Sequence, residues 1–224
     1  MAEFQLNEQI VELPDNWSQV TFERFLGFAQ ICKQFKEREE VKNDSDDVQL
    51  ENALQDLEDN TKILSYWCKM STEEVSMIDL EDANDIMKHL AYLNEEYQPI
   101  SIGSFTIDDQ KFFLPEDLMA KSSFGRYVEA EQLELQTKLL KNGRLEIMPR
   151  QVAILCKKEG ETEKLNDDII DKRAIMFKKL DMATIWDIGF FLTKLEQKLT
   201  LTFLISQGDQ MKDQQKQELQ QKEQ

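Results

Sequence analysis

The chain alternates between two hydrophobic rhythms. Near the N-terminus, Phe4, Leu6, Val11 and Leu13 are apolar at every second position on either side of a polar tip. That period of two predicts a short β-hairpin. Leu13-Pro14 closes its second strand, because proline cannot donate to a ladder. Thr21 is placed to N-cap a helix by accepting a backbone N–H bond, and Phe22 opens the buried stripe behind it. Helix resumes through Leu50, Leu54, Leu57 and Leu64, which recur at helical spacing. Ser71-Thr72-Glu73-Glu74 has the spacing of a capping box. Asp79 is a candidate N-cap for a helix that ends in the cluster Leu90-Ala91-Tyr92-Leu93.

The same pattern recurs at a constant offset of 101 positions. Phe4 matches Phe105, Leu6 matches Ile107, Val11 matches Phe112, and Leu13-Pro14 matches Leu114-Pro115. After one inserted residue, Thr21-Phe22-Glu23-Arg24-Phe25 aligns with Ser123-Phe124-Gly125-Arg126-Tyr127. Further on, the run ending Cys68-Lys69 resembles the run ending Cys156-Lys157, and Ile78-Asp79-Leu80 resembles Leu180-Asp181-Met182. The expected fold class is therefore α+β and mainly helical. It comprises two related lobes from an internal duplication, each a short hairpin followed by several helices. The second lobe is expected to start a helix at Met148-Pro149, with proline in the first turn. It continues through 167–180 and a long helix from Asp181 to about Ser206.

The expected domains are an acidic lobe over 1–99, a second lobe over 100–206 and a tail over 207–224. The first lobe carries an acidic insertion at about 36–51, read as a mobile loop or helix end. The tail is almost wholly Gln, Lys, Asp and Glu, and reads as disordered or as solvated helix.

Charge sharpens this division. Of the net −17, residues 1–100 hold 23 acids against 8 bases, and the remainder hold 21 acids against 19 bases. Such a chain is a poor partner for nucleic acid, because binding phosphates needs a cationic surface that releases counterions. Anionic membranes are disfavoured for the same reason. The longest apolar stretches, around Phe190-Phe191-Leu192 and from Leu199 to Ile205, are broken by Lys194, Glu196 and Lys198 and fall short of a membrane span. Met1-Ala2-Glu3-Phe4 lacks the apolar region of a secretory signal. Cys32, Cys68 and Cys156 are odd in number and widely spaced. The expectation is a reduced, cytoplasmic chain without a disulfide framework.

The residue constellations of catalysis are missing. His89 is the only histidine, and no Ser or Cys sits in an activating motif. Neither Cys-x-x-Cys nor His-Glu-x-x-His occurs. Asp44, Asp46 and Asp47 do not fit a calcium loop, since Val48 and Gln49 stand where a ligand and glycine belong. Asp79, Asp82 and Asp85 recur every third position, as on one solvated side of a helix. The seven glycines are isolated, which disfavours a phosphate loop. No cofactor, metal or catalytic residue is expected, and the chain is read as a non-enzymatic binding protein. A carboxylate-only hydrolase remains an outside alternative.

Candidate partner-binding residues are Trp17, Arg24, Arg126, Phe203 and Leu204. Trp17 precedes the first helix and reads first as packing between hairpin and helix. Arg24 and Arg126 occupy the same place in both copies. Each could bind an acidic partner, or clamp the acids before its helix, Asp15 and Glu116. Phe203 and Leu204 end a long apolar run with little local sequence to cover them.

Trp17 with Thr21-Phe22-Glu23-Arg24-Phe25, Leu114-Pro115 with Ser123-Phe124-Gly125-Arg126-Tyr127, and Phe190-Phe191-Leu192 together resemble small proteins from the tail and head-completion gene blocks of tailed bacteriophages. The resemblance spans most of residues 4–195 and implies a tail assembly chaperone or a small virion component, with no catalytic residues. The chain departs from that pattern at Leu118, in the acidic insertion and in the Gln-rich tail. The resemblance implies another protein as partner, a phage tail or virion protein, in the host cytoplasm or the virion. A homo-oligomer is the further possibility. Two alternatives stay open: a structural virion subunit, such as a connector, ring or baseplate component, and an acidic inhibitor that mimics nucleic acid.

Overall fold

The computed structural model describes residues 1–6, 9–35, 46–116, 124–137, 143–162, 164–194 and 196–197. It is mainly helical with two small antiparallel sheets, an α+β fold. The described residues form two compact units, one within 1–98 with 178–183, the other within 99–177 with 184–197.

The first unit begins with strands β1 (Ala2–Leu6) and β2 (Gln9–Leu13), paired with Phe4 opposite Val11 and Leu6 opposite Gln9. The alternation buries Leu6, Val11 and Leu13, while the residues between them stay in solvent contact. Pro14 ends the ladder. A 3-10 turn (Trp17–Gln19) leads into helix α1 (Phe22–Cys32), whose N-cap Thr21 accepts the Arg24 N–H at 3.3 Å. Residues 178–183, read from sequence as part of the second lobe, complete this unit. The Phe22 amide donates to the Leu180 carbonyl at 2.7 Å, and the Met182 amide to the Val20 carbonyl at 2.8 Å. Leu180 and Met182 are thereby buried with Val20 and Phe22.

Helix α2 (Asp46–Cys68) follows and supplies Leu64, Trp67 and Cys68 to the core. The short helix α3 (Thr72–Val75) carries both arms of a capping box: Ser71 Oγ accepts the Glu74 amide, and the Glu74 carboxylate accepts the Ser71 amide at 2.8 Å. Those bonds hold the Glu74 carboxyl below its ordinary pKa. Helix α4 (Leu80–His89) starts after Asp79, which holds the cap position without a side-chain cap bond. Its buried Ile86 and the following Leu90, in a 3-10 segment (Leu90–Asn94), close the core.

The second unit opens on strands β3 (Ser104–Ile107) and β4 (Gln110–Phe113). Phe105 lies opposite Phe112 and Ile107 opposite Gln110. Both pairings equal those of the first hairpin at the offset of 101. Asp108 and Asp109 take φ of 46° and 57°, the left-handed conformation that a two-residue type I′ loop needs at both positions. A third strand, β5 (Lys157–Lys158), adds to β4. Helices α5 (Phe124–Thr137), α6 (Gly143–Leu155), α7 (Asp167–Phe177) and residues 184–194 of α8 (residues 182–194) make up the rest.

Contrary to the expectation from sequence, Pro149 does not start a helix. It lies inside α6, which begins six residues earlier. The ring removes one intrahelical bond, but burial of Pro149 with Val152 and Ala153 holds the helix through it. The core of this unit is a triad of Phe105, Phe112 and Phe177, with ring centroids 5.0–5.6 Å apart. Against it lies a buried ion pair. Arg173 donates to Glu161 at 2.5 Å and lies 5.6 Å over the Phe112 ring.

Candidate protein-binding surface

The sequence singles out Trp17 and Arg24, and the fold brings both into one aromatic cluster of the first unit. The Trp17 ring stands edge-on to Phe25 and to Tyr92, 5.6 Å from each. Arg24 reaches back to the end of α2. Its Nη2 donates to the Trp67 carbonyl at 2.8 Å, and its guanidinium lies 4.6 Å over the Trp67 indole. The Tyr66 hydroxyl donates to the Arg24 carbonyl. Desolvation lowers the Arg24 pKa, and burial pushes the Tyr92 hydroxyl up to about 12 and the Cys68 thiol up to about 11.

The expected clamp between Arg24 and Asp15 is replaced by this arrangement. Asp15 instead accepts the Met1 amine, which holds its carboxyl below the ordinary range together with Gln19 and His89. Arg24 comes one turn into α1 and so faces the C-terminal end of α2, where a free carbonyl offers a partner.

Arg126 lies half-buried on α5, in the field of the buried Cys156. Burial raises the Cys156 pKa, and Arg173 and Arg126 pull it back. Phe203 and Leu204 lie outside the described residues, as do Asp44 and Ser123.

His89 packs its ring edge-on to Phe4 at 5.3 Å, and its Nε2 donates to the Pro14 carbonyl at 3.1 Å. The only imidazole of the chain thus ties α4 to the end of the first hairpin. Among the described residues, no group of three or more His, Cys, Asp or Glu could hold a metal ion. Asp82 and Asp85 lie exposed on α4, with Lys88 2.9 Å from Asp85. An open cleft of about 450 Å3 is lined in part by Ile31, Gln34, Lys62 and Tyr66. Lys62 there is 3.4 Å from Asp59 and 5.8 Å from the Phe35 ring. Among the described residues, no helix is long and apolar enough to cross a membrane.

The feature that sequence reasoning passed over is the orientation of α2. Leu64 and Cys68, at the C-terminal end of its leucine stripe, are buried. Leu50, Leu54 and Leu57, two turns further toward the N-terminus on the same stripe, are 62%, 55% and 61% exposed. The opposite side of those turns is the covered one, although it is polar. Asn52, Gln55 and Asp56 are half-buried and Asp59 is buried. An amphipathic helix in a finished domain turns its apolar face to the core. This one turns it outward over two turns. The stripe is flanked on one side by exposed Glu51 and Glu58, and on the other by exposed Ala53 and Asn60.

No family model, no curated protein and no solved structure matches this chain.

Proposed function

We propose that this chain is a non-enzymatic protein-binding factor, a tail assembly chaperone of a tailed bacteriophage, acting in the host cytoplasm on a phage tail protein. The observation that carries the binding role is the outward leucine stripe of α2, because contiguous exposed leucines in a soluble fold mark an interface. The acidity of the first hundred residues supports a chaperone, since net charge keeps a complex with an aggregation-prone partner soluble. Several groups that catalysis would draw on have structural roles among the described residues. His89 is spent on Pro14 and Phe4, Arg24 on Trp67, and the Cys68 and Cys156 thiols are raised by burial away from the reactive thiolate. The equal register of the two hairpins supports descent of the two lobes from a duplicated unit.

The test is affinity capture of the tagged chain from infected cells, followed by sizing and by co-expression with the captured protein. Recovery of a phage tail protein in soluble form only when this chain is co-expressed is the expected result. Capture of stable rings of this chain in virions would instead make it a structural subunit. Divalent-metal-dependent hydrolysis by the purified chain would overturn the non-enzymatic reading.

A further inference from the structure

We infer that the Leu50–Leu54–Leu57 face of α2 is a docking site for a cationic amphipathic helix of another protein. The inference rests on the binding role proposed above and names the surface and the chemistry of its partner.

The spacing selects the shape of the occupant. Leu50, Leu54, Leu57, Thr61, Leu64 and Cys68 alternate steps of four and three, the a/d rhythm of a helix seam. The first unit itself covers the C-terminal end of the seam, at Leu64 and Cys68. The N-terminal turns are left with the same knobs and holes in solvent contact. A seam of this rhythm accepts side chains repeating at i, i+3 and i+4, which only a helix presents. The exposed length from Leu50 to Leu57 is about 10 Å at a rise of about 1.5 Å per residue, so two to three turns of a partner fill it.

Charge selects its composition. Residues 46–60 contain six acids and no base. Glu51 and Glu58 each follow a stripe leucine by one position, so both line the same edge of the seam and both are exposed. In a helix pair, residues at these edges set partner choice by their charge. A second copy would bring its own Glu51 and Glu58 against this acidic edge and is disfavoured by like-charge repulsion. Lys or Arg beside the anchors of a partner helix would instead face Glu51 and Glu58. The opposite edge, Ala53 and Asn60, is small and uncharged and admits close approach.

The test uses the full chain and a synthetic three-heptad helix with Leu at a and d and Lys at e and g. Controls are a scrambled peptide of the same composition and a peptide with Glu at e and g. The cationic helix should bind, and the scrambled and Glu-bearing peptides should bind at least about tenfold more weakly, a difference of about 1.4 kcal/mol. Leu50→Ser/Leu54→Ser/Leu57→Ser should lose at least that factor, and Glu51→Lys/Glu58→Lys should transfer the preference to the Glu-bearing peptide. Benzoylphenylalanine in place of Leu54 then reports the neighbour directly. A photo-crosslink to the cationic helix supports the assignment. A crosslink to a second copy, or to a distant segment of the same chain, overturns it, as does equal binding of the scrambled peptide. If the triple variant still captures the same tail protein from infected cells, this surface is wrong while the protein-binding role stands. If the wild-type chain captures nothing, the role itself fails.

Discussion

Arg24 of α1 donates to the main-chain carbonyl of Trp67 at 2.8 Å and covers its indole ring at 4.6 Å, so one guanidinium joins the first helix to the end of the second. Trp67 is fully buried and Arg24 is half-buried. A charged hydrogen bond of this kind contributes about 1.5–3 kcal/mol, and the cation–π contact about 0.5–2 kcal/mol. Arg24→Ala should therefore lower the unfolding free energy by about 2–4 kcal/mol in urea titrations. Stability unchanged within error would show that Arg24 is held for a partner and not for the fold.

Gly27 sits opposite the same contact. A Cβ built there comes within 2.4 Å of the Tyr66 hydroxyl oxygen and 3.2 Å of its ring carbon. Glycine to alanine inside an exposed helix normally gains up to about 1 kcal/mol. Here the hydroxyl would have to give up its bond to the Arg24 carbonyl. Gly27→Ala should cost about 1–3 kcal/mol by overpacking, and the cost should shrink in a Tyr66→Phe background. Additive losses in that double-mutant cycle would contradict the close approach.

In the second unit, Glu161 is 6% exposed and its partner Arg173 9% by side chain. Removing the carboxylate leaves a buried cation that, among the described residues, is met by the Cys156 carbonyl, 3.5 Å away, and the face of the Phe112 ring. Glu161→Ala should destabilise by about 3–5 kcal/mol, seen as an early transition in thermal unfolding. A loss below 1 kcal/mol, roughly the level of a surface pair, would mean that the pair is solvated.

The raised pKa values of Tyr92, to about 12, and Cys68, to about 11, set an alkaline limit. Both groups are neutral in the fold and ionise earlier in the unfolded chain, near 10 and 9. Their contribution is complete below about pH 9 and is lost as pH rises through the folded values. Stability measured by urea should fall between about pH 9 and pH 12, and Tyr92→Phe should flatten the upper part of that fall. An unchanged profile in the variant would place the titration elsewhere.

Local chemistry was the legible part of this sequence. The period of two, the Leu-Pro ends, the Thr21 cap and the Ser71–Glu74 box are each specified by residues within a few positions of one another. The structure realises all of them. Pro149 was misplaced because a local rule for proline yields to burial of its neighbours. The partner of Arg24 lies 43 positions away, so nothing near Arg24 could name Trp67. The leucines of α2 declare a helix through their spacing, but spacing is silent about which side meets the core. The half-buried Asn52 and Gln55 behind them could only be found in three dimensions. The pairing of residues 178–183 with the first unit escaped for the same reason, since a backbone contact between Val20 and Met182 leaves no periodic trace.

Outward leucines make the account testable without a known partner structure. Leu50, Leu54 and Leu57 are more than half exposed, so replacing all three by serine should shift stability by no more than about 0.5 kcal/mol per site. The most direct measurement compares this triple variant with the wild type in quantitative affinity capture from infected cells. The wild type should retain one stoichiometric protein partner, and the variant, still folded, should lose it. Equal capture by both chains, or no partner on either, would contradict the account.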